Sequence, residues 1–228
     1  MRRFLAALLF TVAFTNCKPP VYTYVYKTLP PEIQIHDTSK GIVLIDATPT
    51  TGDNNNANNN YSQYLFAAMQ EDVKLPVETA SDVCKEEMQL LLAKNPTVTS
   101  KIMKQYNANM LVVITKEEVG FKLDKIDKVK YENGAVSKTA MFDVFFEAKA
   151  LIAQDNTFLE RTIYVSRYYA SRNVIDGVQT LPPEMKGCGA DINMMAKENA
   201  QKLAHLFLDK KVIETWLNNK RHFKEVNE

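Results

Sequence analysis

Residues 140–154, AMFDVFFEAKALIAQ, decide the fold of this chain, because every second side chain along them is apolar. Successive side chains of a strand point to opposite faces, so this spacing predicts a strand with one buried face. The buried face comprises Phe142, Val144, Phe146, Ala148, Ala150 and Ile152. Charged side chains on the other face are Asp143, Glu147 and Lys149. A half-buried strand of this kind is typical of an antiparallel sheet.

The flanking segments extend this strand into a three-stranded antiparallel meander. Residues 121–131 are charged but strand-like, and Asn133-Gly134 is the pair that favours a type I′ turn between two strands. Asp155-Asn156 then turns the chain into residues 158–169, where apolar and polar side chains alternate again. The meander is therefore predicted to span residues 121–169.

Two aliphatic runs predict strands that are buried on both faces, namely residues 41–46, GIVLID, and residues 110–114, MLVVI. Residues 21–26, VYTYVY, also have strand composition, with Tyr22, Tyr24 and Tyr26 on one face. That face is either an exposed ladder for binding or one side of an edge strand packed on the domain.

Helical periodicity appears at residues 61–70 and 79–94. The second of these segments carries an apolar stripe of Cys84, Met88, Leu91 and Leu92, and its Thr79 and Asp82 resemble a capping box. A third helix is predicted to begin with Asn95 as N-cap and Pro96 as the first helical residue.

A long final helix is predicted to begin at Asp191 as its cap. Its apolar stripe comprises Ile192, Ala196, Ala200, Leu203 and Phe207, and Val212, Ile213, Trp216 and Leu217 continue an apolar edge. Two polar stretches interrupt the pattern: residues 172–190 predict a loop, and the asparagine tract at 54–60 predicts a solvated loop, with a ligand lid as the alternative.

These elements predict an α+β (α/β-like) fold, in which helices pack on a mixed sheet with a long antiparallel meander. The proposed domain organisation is a single α/β envelope domain over residues 29–218, followed by a polar tail at 219–228. Apolar content of 46% with 24% charged residues is ordinary for a globular domain.

The amino-terminal segment has the pattern of an export signal that ends at a cysteine. Arg2 and Arg3 precede an apolar run at residues 4–14, too short to span a bilayer, and Cys17 follows. The segment resembles a bacterial lipoprotein signal, particularly the relaxed form of Bacteroidota. We expect a signal peptide at 1–16, lipidation of Cys17 and a lipid-anchored tether at 17–28; the alternative is an ordinary cleaved signal. Because Lys18 is not an inner-membrane retention signal, the resemblance implies the outer membrane, facing the periplasm.

Charge and motif content exclude several classes of function. Cleavage before Cys17 leaves 26 Lys and Arg against 27 Asp and Glu, a net charge of −1, which lacks the basic footprint of a nucleic-acid binder. No spacing of cysteine and histidine matches a zinc site, so we expect neither metal nor cofactor. Cys84 is expected on a buried helix face and Cys188 in a loop, and the two are not expected to be bonded.

Three groups of residues are candidates for chemistry or binding. Glu117 and Glu118 follow a buried strand, where two carboxylates can serve hydrolysis or simply line a solvated edge. Cys188 with His205 would make a thiol nucleophile and base, although a helical histidine is more often structural. The arginines of the last strand and its end would meet an anionic partner or form a solvated face: Arg161, Arg167 and Arg172.

Residues 102–114, IMKQYNANMLVVI, form a helix-to-strand unit that resembles one in periplasmic lipoproteins. These include the curli-secretion lipoprotein, the TolB amino-terminal domain and the penicillin-binding-protein activator lipoproteins. Residues 41–46, the hairpin at 142–169 and the helix segment NAQKLA at 199–204 resemble further parts of the same domain. The order of parts is similar to that of a Bacteroidota lipoprotein family. The resemblance implies an envelope domain used for binding and assembly.

The leading hypothesis is therefore a lipid-anchored, non-enzymatic binding or scaffold protein of the cell envelope. Its partner would be an envelope protein or polymer, contacted through the outer face of the meander or the tyrosine-rich strand. The alternative hypothesis is a periplasmic hydrolase that uses carboxylates near Glu117 and Glu118. A deep pocket with convergent carboxylates would favour the enzyme, and a flat surface would favour the scaffold.

Overall fold

The structure of the protein is a computed structural model, which describes residues 23–48, 61–130, 132, 134, 136–171, 189–217 and 220–225. The chain divides into two compact units, one formed by its two ends and one formed by residues 32–208. The predicted signal peptide, Cys17, the asparagine tract, Arg172 and Cys188 lie outside the described residues.

The described strands, in chain order, are β1 (Thr23–Leu29), β2 (Gly41–Asp46), β3 (Val77–Thr79), β4 (Ala108–Lys130), β5 (Val136–Gln154), β6 (Thr157–Ser171), β7 (Lys210–Leu217) and β8 (Lys220–Glu225). The described helices are α1 (Tyr61–Asp72), α2 (Lys85–Leu92), α3 (Pro96–Gln105) and α4 (Gly189–Ala204). A short 3-10 turn at His205–Phe207 follows α4.

The larger unit is built on a five-stranded mixed sheet with the order β3-β2-β4-β5-β6. Strand β2 pairs in parallel with β3 and β4, whereas β4, β5 and β6 are antiparallel neighbours. The α+β fold with a long antiparallel meander is thus confirmed.

Helices cover both faces of the parallel part of this sheet. One buried cluster joins α1 and α4 to side chains such as Leu44, Val112 and Phe146. The second cluster joins α2 and α3 to the alternate side chains, such as Val43 and Leu111. Because neighbouring residues of β2 and β4 are buried on opposite faces, these strands are continuous apolar runs, as the sequence predicted.

The alternation in β5 is confirmed in its predicted register. The even-numbered residues from Ala140 to Ile152 are buried, and Phe146 is fully inaccessible to solvent. Asp155 and Asn156 connect β5 to β6 with φ values of 48° and 61°, and Gln154 pairs with Thr157. Positive φ at both central residues is the signature of a type I′ turn.

Strand β4 is longer than predicted. The run at 110–114 and residues 121–130 of the second run belong to one strand of 23 residues, whose register against β5 shifts between Ile114 and Lys116 and between Leu123 and Lys125. The predicted hairpin connects β4 to β5, with Lys130 paired to Val136. Gly134 of the predicted turn has φ of 81°, and Asn133 lies outside the described residues.

The helix predicted at 79–94 is wrong at its start. Thr79 ends strand β3, which pairs with β2, so its predicted capping box does not form. Cys84 precedes the first residue of α2 and carries an exposed free thiol instead of a buried one. Pairing with a long-range strand outweighs the local helical pattern here. Of the predicted stripe, Leu91 is fully buried whereas Leu92 is 41% exposed.

The other helix predictions are largely confirmed. The Asn95 side chain accepts hydrogen bonds from the backbone N–H groups of Thr97 at 3.0 Å and Val98 at 3.3 Å, and Pro96 opens α3. Helix α4 begins at Gly189, so Asp191 lies in its first turn and is not its cap. Its predicted stripe is buried at Ala196, Ala200 and Leu203.

The smaller unit contains a three-stranded antiparallel sheet with the order β1-β7-β8. The strand predicted near 21–26 is confirmed as β1, at an edge of this sheet. The segment at 212–217 was predicted to extend the apolar edge of a helix and forms β7 instead. Residues 220–225, within the predicted polar tail, form β8.

Candidate functional site

A cleft lies at the carboxyl ends of β2 and β3 and has a volume of about 450 Å³. Its walls come from the ends of these strands, the first turns of α1 and the segment around α2. Asp46, the last residue of β2, lines it, and its Oδ1 accepts hydrogen bonds from the Thr48 backbone N–H at 3.0 Å and the Thr48 hydroxyl at 2.5 Å. These bonds hold the carboxylate at the strand end.

The irregularity in β4 determines which carboxylate points inward. Ile114 pairs with Ala150 and Lys116 pairs with Lys149, so the intervening residue is unpaired, as in a β-bulge. Beyond this point, each side chain of β4 therefore lies on the face opposite to the one that uninterrupted alternation would give it. Glu117 pairs with Ala148, a residue of the buried cluster, and its side chain accordingly lies on the face that α1 and α4 cover.

Glu117 is a carboxyl group in an unfavourable environment for a charge. Both carboxyl oxygens are buried and have no hydrogen-bond partner among the residues that the structure describes. Burial, and to a smaller extent the charge of Asp46, raise the pKa of Glu117 to about 8. Desolvation disfavours the charged form of an acid, so Glu117 is largely protonated at neutral pH.

Tyr61, the first residue of α1, belongs to a buried polar network next to Glu117. Its hydroxyl donates to Oδ1 of Asn199 at 2.8 Å. The Asn199 amide donates to the backbone carbonyls of Ile163 at 2.8 Å and Phe146 at 3.3 Å. Burial, followed by the charge of Glu117, raises the pKa of Tyr61. The network therefore ties α1 and α4 to the sheet through a neutral phenol.

Glu118 lies on the opposite face of the sheet from Glu117. Its carboxylate pairs with the ammonium of Lys116, which also approaches Oε1 of Glu147 at 3.5 Å. This pair raises the pKa of Lys116. Glu117 and Glu118 do not converge, so the structure does not bring together the two carboxylates of the alternative hydrolase hypothesis. The acid whose charge affects Glu117 is Asp46, which is distant in sequence and is brought near by the parallel pairing of β2 with β4.

An aromatic patch, defined as Phe145, Tyr164 and Tyr168, lies on the same outer face of the meander as Glu118. The rings of Phe145 and Tyr164 stack with centroids 5.3 Å apart and an interplanar angle of 28°. Tyr164 is 46% exposed and Tyr168 is 63% exposed. These large side chains are therefore available to a partner on a pleated, open surface.

Two further residues shape the aromatic patch. Gly120 pairs with Phe145, and a Cβ atom at Gly120 would lie 2.4 Å from the Phe145 ring, so the glycine makes room for the ring above it. The Tyr164 hydroxyl donates to Oδ2 of Asp143 at 2.8 Å. Oδ1 of Asp143 is buried and has no hydrogen-bond partner within the described ranges.

The two described arginines of β6, Arg161 and Arg167, lie on one face of the strand, and each meets a carboxylate of this chain. Arg161 Nε donates to Oε1 of Glu32 at 2.7 Å, and Arg167 approaches Oδ1 of Asp191 at 3.4 Å. Both pair with inward-facing residues of β5, so they lie away from the outer face. His205, the predicted base of Cys188, has an exposed ring that lies 3.4 Å from Oδ2 of Asp72.

Within the described part of the chain, no group of three or more His, Cys, Asp or Glu side chains is arranged to hold a metal ion. Nor does that part contain a helix with the length and apolar character needed to cross a membrane.

No protein-family model and no curated protein matches the sequence. Solved structures are similar to this chain at low identity, among them the following three. A minor lipoprotein from Acinetobacter baumannii is 10% identical, with 71% of this chain and 88% of that chain covered and a TM-score of 0.33. The PelC dodecamer from Paraburkholderia phytofirmans is 7% identical, with coverage of 81% and 99% and a TM-score of 0.35. A hypothetical protein from Chlamydia trachomatis is 8% identical, with coverage of 73% and 98% and a TM-score of 0.37. TM-scores this low do not establish a shared fold, and these likenesses carry no information about the role of the chain.

Proposed function

We propose that this protein is a lipid-anchored, non-enzymatic binding or scaffold component of the cell envelope, at the outer membrane and facing the periplasm. Its partner is an envelope protein or an envelope polymer. The observation that carries the proposal is the aromatic patch, which leaves two tyrosine side chains about half exposed on the outer face of the meander.

Aromatic side chains contribute disproportionately to binding because each buries a large apolar area, and tyrosine adds a hydroxyl for hydrogen bonds. The strands beneath the patch restrict its conformational freedom, since β4, β5 and β6 are paired along its whole length. A surface that is already ordered loses less entropy on binding. These features support recognition of a partner over an open surface.

The proposed anchor rests on the sequence around Cys17 and has its own test. Replacing Cys17 with serine removes the thiol that would carry the lipid, so the variant is expected to lose incorporation of an alkyne-tagged fatty acid in cells. Replacing Cys84 with serine is the matched control, because that thiol is exposed and lies elsewhere in the chain. Equal labelling of wild type and the Cys17→Ser variant would contradict the anchor.

The binding surface is tested with the full-length protein in detergent, incubated separately with isolated peptidoglycan, with envelope polysaccharide and with detergent-extracted envelope proteins. We expect retention on one of these fractions, and a loss of about tenfold or more for the Tyr164→Ser, Tyr168→Ser double variant. A Gln70→Ser, Glu71→Ser variant of the exposed surface of α1 serves as control. Retention that is unchanged in the patch variant, or absent from all three fractions, would contradict the proposal.

The geometry gives less support to the alternative of a hydrolase that uses Glu117 and Glu118. Their carboxyl groups lie on opposite faces, and Glu118 is engaged by Lys116. Cleavage of peptidoglycan, glycan or ester substrates by purified protein, lost in a folded Glu117→Gln, Glu118→Gln variant, would favour the hydrolase over the scaffold.

A further inference from the structure

We infer that the cleft at the carboxyl ends of β2 and β3 binds a small organic cation, an ammonium group attached to an apolar body. This site is separate from the aromatic patch and does not depend on the proposed scaffold role.

The cleft lies where the sheet topology favours ligand sites. From β2 the chain passes through α1 to β3 on one side, and then through α2 and α3 to β4 on the other side of β2. The connecting helices cover opposite faces of the sheet. In open α/β sheets, a crevice at the carboxyl ends of strands that diverge in this way is the usual ligand position. A volume of about 450 Å³ is sufficient for a small organic molecule.

The walls of the cleft combine an apolar surface with a few polar groups. Phe66 from α1, and Val83 and Met88 from the segment around α2, supply apolar surface. The polar groups that line it are Asp46, Ser62, Gln63, Thr79 and Ser81. This combination of apolar surface and a small number of polar groups is typical of sites for small molecules.

The charge of the lining selects a cation. Asp46 is its one ionisable residue, and the lining contains no lysine, arginine or histidine among the residues that the structure describes. Both hydrogen bonds from Thr48 go to Oδ1 of Asp46, and Oδ2 has no hydrogen-bond partner within the described ranges. An ammonium group can therefore donate to Oδ2 without displacing an existing bond, in a charge-assisted interaction.

A second carboxyl group, Glu117, lies near this end of the sheet and is largely protonated at neutral pH, so Asp46 supplies the negative charge of the cleft. Glu117 lies near enough for the charge of Asp46 to affect its ionisation, and its own oxygens have no partner among the described residues. An anionic ligand would meet repulsion from Asp46, and no basic side chain among the described residues of the lining offsets it.

The test uses 2-phenylethylammonium as probe, with 2-phenylethanol as a neutral control of similar shape and 3-phenylpropionate as an anionic control. Binding to the full-length protein in detergent is followed by NMR with 13C-methyl-labelled methionine. Met88 lines the cleft, while Met194, which is 56% exposed on α4, is an internal reference. We expect the Met88 resonance to shift, and the cation to bind at least about tenfold more tightly than the alcohol, with no binding of the anion.

The matched variants are Asp46→Asn and Asp127→Asn. Asparagine keeps an oxygen that accepts the bonds from Thr48, so the first variant removes the charge and retains the local turn. It should weaken binding of the cation about fivefold or more, and Asp127→Asn, on β4 and exposed, should not. Any of three results would overturn the inference. These are equal affinity for cation and alcohol, unchanged affinity of the cation for Asp46→Asn, and resonance shifts confined to methionines other than Met88. The comparison of probes on the wild type decides the question even if Asp46→Asn is unstable.

Discussion

At the scale of single residues, the position of a carboxyl group decides whether it stabilises the protein or opposes folding. Glu118 and Glu117 are neighbours in sequence, yet one is paired with Lys116 at the surface and the other has no partner in the described part of the structure. A buried acid that is neutral when folded releases its proton on unfolding at neutral pH. Glu117 therefore couples stability to pH.

Stability should fall as pH rises between about 4.5 and 8, because in this window the folded protein keeps the Glu117 proton that the unfolded chain has lost. The contribution is fully present below pH 4.5 and lost above the folded pKa. We expect a loss of about 1 to 3 kcal/mol across the window, reduced by partial solvent access. Urea denaturation at several pH values measures it. The Glu117→Gln variant should lack this fall, whereas Glu118→Gln should retain it; the same slope in all three proteins would contradict the assignment.

Phe146 is the residue whose burial most directly reports the register of β5. It is fully buried, and its ring lies 5.3 Å from that of Tyr61. Phe146→Ala should lower the free energy of unfolding by about 3 to 5 kcal/mol, because it leaves a cavity in the core. Chemical denaturation measures the change. Tyr168→Ala, on the exposed face of β6, should change it by less than about 0.5 kcal/mol. Similar losses in both variants would show that the faces are misassigned.

At the scale of secondary-structure elements, capping explains where α3 begins. The Asn95 side chain accepts hydrogen bonds from two backbone N–H groups of the first turn. Asn95→Ala leaves these groups without that acceptor and should cost about 1 kcal/mol. Asn95→Asp should cost much less, because aspartate is also a good N-cap. A thermal or urea melt of the two variants provides the comparison, and equal stability of both would argue against the cap.

Gly120 connects strand pairing to the aromatic patch. In Gly120→Ala the new methyl group would overlap the Phe145 ring, which must move away from its position beside Tyr164. Since only the end of a side chain is displaced, we expect a small change in stability and a clear loss of retention in the binding assay with envelope fractions. Glu71→Ala, on the exposed side of α1, is a comparison outside the patch. If a folded Gly120→Ala protein is retained as well as wild type, the position of the Phe145 ring is not important for binding.

The elements differ in how far the sequence predicts them, for physical reasons. Strand β5 is predictable because its alternation reflects a single buried face, and α3 because its cap is local. Strand β3 is not, since pairing with β2 supplies its stability and no local pattern records that partner. The sequence also does not predict that Asp46 and Glu117 lie close together. A parallel pairing and a bulge bring them close, and both depend on partners that are distant in sequence. The alternation of apolar and polar residues along β4 does not reveal the position of the bulge.

At the scale of the whole molecule, the buried clusters indicate which part of the chain folds as a unit. Both clusters of the five-stranded sheet draw their members from residues 33–207, within the larger unit. A chain limited to residues 32–208 should therefore unfold in one cooperative transition, with a midpoint close to that of the corresponding transition of the full chain. Differential scanning calorimetry measures both. A truncated chain without a cooperative transition would contradict this assignment of the core.

Contact between the outer face of the meander and an envelope partner can be captured by photo-crosslinking in cells. The full-length protein would carry p-benzoylphenylalanine in place of Tyr168, or in place of Glu71 on the exposed side of α1 as control. We expect the proposed contact to give a discrete adduct from position 168 that is absent from position 71 and is lost when Tyr164→Ser is added. No adduct from position 168, or the same adducts from both positions, would contradict it.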